Sequence, residues 1–106
     1  MWVARVIAAA ACALIALPAG AQEGGDRLAG HELATRWCGN CHVVDPSQQR
    51  QAIDAVPTFA AVAAMKSTTA MSLQVFLSTP HGPMPDYSLS RAEIANVSAY
   101  ILSLRK

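Results

Sequence analysis

The stretch Cys38-Gly39-Asn40-Cys41-His42 decides how the rest of this chain can fold. Cys-x-x-Cys followed directly by His is the attachment signature of a c-type haem. Two thiols at this spacing lie on one face of a helical turn, where they reach the two vinyl groups of one porphyrin. The adjacent imidazole of His42 can then bind the iron as an axial ligand. The motif therefore predicts one covalently bound haem c per chain, attached through Cys38 and Cys41.

Two other chemistries use the same pair of thiols. A thiol–disulfide redox pair requires cysteines at a strand-to-helix junction, and no strand pattern precedes Trp37. A zinc site requires further ligands, and beyond the motif residues 22–106 offer only His31 and His81 as histidines. His31 is expected to face solvent rather than to bind a metal. These alternatives stay open, and the complete motif favours haem.

Residues 1–21 have the pattern of a secretory signal peptide. Arg5 supplies a positive charge, residues 6–17 are apolar, and Ala19-Gly20-Ala21 is a small-residue cleavage site. The apolar run is short for a membrane span, although an uncleaved anchor stays open. Cleavage leaves residues 22–106 as a single domain, exported to the periplasm and associated with the membrane only through partner complexes.

The charge of the expected mature chain excludes one class of partner. Residues 22–106 hold seven Lys or Arg and seven Asp or Glu side chains, and therefore no net charge. They show no basic patch with interleaved aromatic residues, so nucleic acid is not expected to bind. A domain this short buries a modest core and usually needs a cofactor or a cross-link to complete it. A haem would meet that need.

Helical periodicity predicts four helices. Asp26 is a suitable N-cap for a first helix that leads into the haem motif. Residues 58–66 and 70–78 give two shorter helices. Ser90 followed by Glu93 is a capping box that begins the last helix.

Apolar side chains on these helices are expected to form the core. They are Leu28, Leu33 and Trp37 on the first helix, Phe59, Val62, Ala63 and Met65 on the second, Met71, Leu73, Phe76 and Leu77 on the third, and Ile94, Val97, Tyr100, Ile101 and Leu104 on the last. Gly30 lies within the first helix, where glycine costs about 1 kcal/mol relative to alanine. It therefore predicts a tight contact with another helix.

A proline-rich segment, residues 79–87, holds a second candidate iron ligand. Its prolines preclude a regular helix or a central strand. Met84 lies between two of them, at Pro83 and Pro85, and core packing explains a methionine in such a rigid loop poorly. A thioether ligand is the alternative. His81 competes for the same role, because imidazole is the commoner ligand in general.

From Leu28 to Leu104 the chain resembles the bacterial class I cytochromes c, which are small monohaem proteins. The resemblance rests on the motif at residues 38–42, on Met84-Pro85, and on two closing stretches, Leu89-Ser90-Arg91-Ala92-Glu93-Ile94 and Ala99-Tyr100-Ile101. It implies an all-α cytochrome c fold with three to five helices around one covalently bound haem.

The resemblance also implies roles for single residues. The family's methionine ligand matches Met84, and His81 falls outside that motif. A proline after the haem motif, matched here by Pro57, accepts the ring N–H of the proximal His42 through its carbonyl and orients the imidazole.

The family also has a crossing of its first and last helices, where a small residue, matched by Gly30, meets an aromatic residue, matched by Tyr100. Many members have a further aromatic residue where this chain has Ala34. The crossing is therefore expected to be packed differently here.

The function expected on these grounds is that of an exported carrier of single electrons. Ligation by His42 and Met84 raises the potential and fills both axial positions, so no enzyme activity is predicted. The redox partners would be a dehydrogenase or quinol-oxidising complex and a terminal oxidase or reductase. The chain would act as a monomer or as the small cytochrome subunit of such a complex. A haem sensor or enzyme with a labile sixth ligand, and a haem-free thiol–disulfide protein, stay open.

Overall fold

The computed structural model describes residues 24–48, 51, 53, 55–80 and 82–106. Within these ranges the chain forms four α-helices and no β-strand, which confirms the predicted all-α fold. The helices are α1 (Arg27–Leu33), α2 (Phe59–Ala64), α3 (Ala70–Ser78) and α4 (Arg91–Ser103). None of the described helices has the length and hydrophobicity of a membrane span. The predicted signal peptide, residues 1–21, lies outside the described residues.

The helices begin where local sequence predicts. The carboxylate of Asp26 accepts hydrogen bonds from two backbone N–H groups in the first turn of α1, at 2.9 and 3.1 Å. Ser90 and Glu93 form the reciprocal bonds of a capping box at the start of α4, each 3.1 Å long. Thr69 and Ser72 form the same box at the start of α3. These bonds satisfy N–H groups that have no partner within the helix.

The helix that leads into the haem motif widens before it ends. Ala34–Cys38 forms a π-helical segment that continues α1. The N–H of Gly39 closes it by donating to the carbonyl of Ala34, five residues earlier, at 2.8 Å. The N–H of His42 then donates to the carbonyl of Cys38, also at 2.8 Å. Single π-helical turns occur frequently at functional sites, and this one ends at the first motif cysteine.

Helices α1 and α4 make a close backbone contact at Gly30, as the sequence predicts. A Cβ atom on Gly30 would lie 1.9 Å from the carbonyl oxygen of Asn96. The tight contact at Gly30 is therefore confirmed, although it lies one helical turn before Tyr100. Gly25 makes a second close approach that was not predicted, since its Cβ atom would lie 2.0 Å from the carbonyl oxygen of Ala95. Backbone packs on backbone at both positions.

The core lies around α4, which packs against each of the other three helices. The buried apolar side chains of the core are Ala34, Val44, Phe59, Ala63, Leu73, Ile94, Val97, Tyr100 and Ile101. Several predicted core positions are wrong, because Leu28, Met65 and Met71 are exposed and Phe76 is half exposed. Periodicity identifies an apolar stripe, but the arrangement of the other helices decides which part of that stripe is covered.

Candidate haem-binding site

The two motif cysteines are both free thiols in the structure. Cys38 ends the π-helical segment and is half-buried, whereas Cys41 is exposed in the turn that follows. Burial raises the pKa of the Cys38 thiol, and the neighbouring Cys41 adds to that shift. Neither sulfur is committed to a disulfide, so both are available for thioether bonds.

The ring of His42 is oriented by a hydrogen bond to Pro57. The distance between Nδ1 of His42 and the carbonyl oxygen of Pro57 is 2.6 Å. Because a carbonyl can only accept, Nδ1 carries the proton and donates it, which leaves Nε2 as the unprotonated nitrogen that can bind a metal. The N–H of Phe59 donates to the carbonyl of Val43 at 3.0 Å and holds the two segments together. The contact that the family resemblance implies is thus present.

Tyr100 joins the helix crossing to the loop after the motif. Its hydroxyl donates to the carbonyl of Val44 at 2.5 Å, in a buried setting. Its ring lies 4.8 Å from the ring of His31 and 6.4 Å from that of Phe59, measured between centroids. Ala34 is fully buried beside this group. At this crossing His31 supplies an aromatic neighbour for Tyr100.

His31 is not the solvent-facing residue that the sequence indicated. Its Nε2 lies 2.8 Å from a carboxylate oxygen of Asp45. The backbone N–H and the hydroxyl of Ser47 also donate to this carboxylate, at 2.9 and 2.8 Å. The pKa of Asp45 is lowered chiefly by the two hydrogen bonds from Ser47, and further by the hydrogen bond and the charge of His31. This cluster fastens the loop after the motif to α1.

Met84 is half-buried in the irregular segment between α3 and α4. His81 lies outside the described residues, so the structure does not compare the two candidate ligands. The role of Met84 therefore stays a prediction. Among the described residues, no three His, Cys, Asp or Glu side chains are grouped as ligands of a metal ion. That part of the chain offers no support for the zinc alternative.

An aromatic stack connects the Met84 segment to the haem motif. The rings of Trp37 and Tyr87 are 5.4 Å apart between centroids, and their planes are inclined by 30°. Trp37 directly precedes Cys38, and Tyr87 follows Met84 by three residues. The sequence alone does not predict this pair, because nothing local relates two aromatic residues that lie so far apart in the chain.

The residues present fit a covalently bound haem. The motif provides two free thiols at the required spacing and one imidazole whose Nδ1 is already engaged. Imidazole nitrogen with thioether sulfur is the ligand set of haem in electron-transfer cytochromes. His42, Cys38 and Cys41 would hold the group on the α1 side, and Met84 on the other.

Comparison with known proteins points the same way. Residues 28–105 match the family model described as Cytochrome c. The chain is 43% identical over 100 residues to Cytochrome c-552 of Bradyrhizobium diazoefficiens, and the aligned part covers 94% of this chain and 89% of that protein. No solved structure matches the chain significantly.

Proposed function

Because this chain belongs to the cytochrome c family, we propose that it carries single electrons on one haem bound by His42 and Met84. Members of that family are electron carriers with covalently bound haem c rather than enzymes. Cys38 and Cys41 form the thioether bonds to the two vinyl groups. The bound haem supplies the one-electron chemistry between Fe(III) and Fe(II). The observation that supports this most directly is the 2.6 Å contact between Nδ1 of His42 and the carbonyl oxygen of Pro57.

The role of that contact follows from the chemistry of imidazole. A hydrogen bond from Nδ1 fixes the tautomer and the direction of the ring, and it makes Nε2 a better donor to a metal. The acceptor is a backbone carbonyl next to α2, whose N-terminal residue Phe59 is hydrogen-bonded to Val43. The orientation of His42 therefore depends on backbone hydrogen bonds.

Met84 would bind the haem iron as the second protein ligand and would raise its reduction potential. Thioether sulfur is a soft ligand that favours Fe(II), so ligation by methionine gives a higher potential than ligation by a second histidine. Pro83 and Pro85 restrict the backbone on both sides of Met84, which limits the positions that its side chain can reach. With His42 and Met84 both bound to the iron, no ligand position would remain for a small substrate, as suits a carrier.

The axial assignment is tested on the oxidised holoprotein. We expect a weak charge-transfer band near the red end of the visible spectrum, which Met84→Ala should remove while lowering the reduction potential. His81→Ala is the matched control and should leave both unchanged. If His81→Ala opens the sixth position and Met84→Ala does not, the haem is bound by two histidines. Carbon monoxide binding to the unmodified reduced protein at neutral pH would favour a sensor or enzyme.

Covalent attachment and export are tested together. Protein made in a haem-maturing host should begin at or near Gln22, because residues 1–21 have the pattern of a cleaved signal peptide. Its mass should include one haem, and Cys38→Ala combined with Cys41→Ala should abolish that addition. A pyridine haemochrome spectrum without covalent haem would support the thiol–disulfide alternative. Met1 retained in a membrane fraction would identify an anchor.

The redox partners are proposed to be a dehydrogenase or quinol-oxidising complex and a terminal oxidase or reductase in the periplasm. The expected mature chain has no net charge, and residues 67–85 contain no Asp, Glu, Lys or Arg. The partners are therefore not steered from a distance by a strong electrostatic field, and docking is proposed to use a mainly apolar surface. The rate of electron transfer with a purified quinol-oxidising complex should change by less than about threefold between low and physiological ionic strength. A steep decrease with salt would contradict docking through an apolar surface.

A further inference from the structure

One contact links the two halves of the proposed haem site. Trp37 lies directly before the first attachment cysteine, Cys38, and Tyr87 lies three residues after the proposed ligand Met84. Their rings stack with centroids 5.4 Å apart and planes inclined by 30°. Stacked aromatic pairs with centroids 4.5–7 Å apart attract each other beyond the burial of their surface. The contact therefore ties the Met84 segment to the haem motif.

Each ring of this stack is placed by its own backbone. Trp37 belongs to the π-helical segment Ala34–Cys38, which a hydrogen bond from Gly39 closes. Tyr87 lies between Asp86, whose carboxylate accepts the N–H of Ser88 at 2.8 Å, and Ser88 itself, whose φ is 51°. A non-glycine residue in this left-handed region is uncommon and persists where its surroundings require it. The turn at Asp86 and Ser88 thus fixes where the Tyr87 ring lies.

Core packing does not account for Tyr87, because it lies outside the buried core cluster and is not among the side chains packed against that cluster. Trp37 is only partly buried. Both residues lie in or next to segments to which the proposed function assigns haem contacts. Their stack is therefore better placed to control the position of the Met84 segment than to fill the interior.

We propose that Tyr87 is a positioning residue whose ring, held against Trp37, keeps the Met84 segment in place and so determines how often the Met84 sulfur leaves the haem iron. This inference rests on the proposed function, in which Met84 is the sixth ligand. Tyr87 does not touch the iron in this proposal and acts through Met84. Loss of the stack increases the fraction of molecules in which the sixth position is open.

Imidazole measures that open fraction. It binds the iron only when the Met84 sulfur has left, so its apparent dissociation constant is the intrinsic constant divided by the open fraction. Given the usual strength of an aromatic stack, loss of the pair should tighten apparent imidazole binding by about threefold to tenfold. Loss of the charge-transfer band reports binding directly on the oxidised holoprotein.

The experiment compares four variants with the unmodified holoprotein in an imidazole titration. Tyr87→Leu and Trp37→Leu should each tighten apparent binding by about threefold to tenfold. The double variant should bind no more tightly than either single variant, because both remove the same contact. Tyr87→Phe keeps the ring and is the matched control, so its affinity should stay within about twofold of the unmodified protein.

Several outcomes would overturn the inference. If Tyr87→Leu lowers the thermal stability but leaves imidazole binding unchanged, the stack is only structural. If the effects of Tyr87→Leu and Trp37→Leu multiply in the double variant, the two rings do not act as a pair. If Tyr87→Leu does not yield holoprotein, Trp37→Leu removes the same contact. Unchanged imidazole binding in Trp37→Leu would then refute the inference. A band that survives Met84→Ala would instead refute the assignment of the ligand under the proposed function.

Discussion

The two sides of the proposed haem site are built in different ways. On the side of His42, the ring is hydrogen-bonded to the carbonyl of Pro57, and the adjoining loop is tied through Val44 to Tyr100 in the core. On the side of Met84, an irregular segment is shaped by prolines, by a local turn and by the stack of Tyr87 on Trp37.

The positions of His42 and Met84 therefore depend on different contacts. The position of His42 depends on contacts that reach the core through Val44 and Tyr100, whereas the stack of Tyr87 on Trp37, which holds the Met84 segment, lies outside the core cluster. Segments with little tertiary packing open at lower free energy than the core does. Substitutions in the core should therefore change global stability, and substitutions in the Met84 segment should change ligation with a smaller effect on stability.

Gly30→Ala should give the largest loss of stability. Its Cβ atom would lie 1.9 Å from the carbonyl oxygen of Asn96, and a backbone atom cannot move away unless α1 and α4 separate. We expect the free energy of unfolding to decrease by about 1–3 kcal/mol, as in other overpacked cores. This loss would occur although alanine is favoured over glycine in a helix by about 1 kcal/mol. Guanidinium denaturation of the holoprotein, followed by circular dichroism, measures it.

Gly24→Ala is the matched control for that variant. Its Cβ atom would meet nothing within 4 Å, so the stability should not decrease. If Gly30→Ala is as stable as Gly24→Ala, the side of His42 does not depend on the helix crossing. The contrast with the side of Met84 would then be wrong.

The sequence predicts those parts of the fold that depend on local chemistry. Asp26 and the pair Ser90 and Glu93 identify helix starts, because a capping bond involves residues within one turn. The haem motif is complete within five residues. Gly30 was predicted to make a close contact, because a glycine within a helix is a net cost unless another backbone lies against it.

The contacts that the sequence does not predict join residues that are distant in the chain. Gly25 precedes α1, where a glycine signals nothing about Ala95. His31 was expected to face solvent, because its partner Asp45 lies in a loop whose path periodicity does not predict. The stack of Trp37 on Tyr87 was missed for the same reason. Tertiary packing determines these contacts, and a single sequence contains no local sign of them.

Tyr100→Phe should have the next largest effect. It removes the hydroxyl that donates to the carbonyl of Val44 and leaves that acceptor buried without this partner. We expect a loss of about 1–2 kcal/mol in the free energy of unfolding. Tyr87→Phe makes the same chemical change on the side of Met84, at a partly exposed ring, and should leave the stability nearly unchanged. Equal losses in the two variants would remove the distinction between the two sides.

Asp45→Asn should have a smaller effect that depends on pH. The pKa of Asp45 is lower in the folded protein than its usual value of about 3.9. Its contribution is therefore complete above about pH 4 and is lost as the pH falls through the lowered pKa. At pH 7 we expect a loss of about 0.5–1 kcal/mol, as for other partly exposed ion pairs and charged hydrogen bonds.

Thermal unfolding at pH 7 and near pH 3 measures this dependence. The difference between the unmodified protein and Asp45→Asn should decrease in acid, because protonation removes the same charge from Asp45. Ser47→Ala is the companion variant, since it removes one of the bonds that lower the pKa of Asp45 while keeping the carboxylate. A difference that is equal at both pH values would show that the charge of Asp45 does not stabilise the loop.

Ser88→Asn should have the smallest effect, and it is expected to be a gain. Ser88 has a φ of 51°, and asparagine tolerates this left-handed region better than serine does. The N–H that donates to Asp86 is kept, so the turn that places Tyr87 is unchanged. We expect about 0.5 kcal/mol of added stability with an unaltered charge-transfer band, because backbone strain of this kind is worth about 1 kcal/mol and is relieved only in part. Ser67→Asn, at an exposed turn without a positive φ, should give no gain; if it gives the same gain, relief of strain at Ser88 is not the cause.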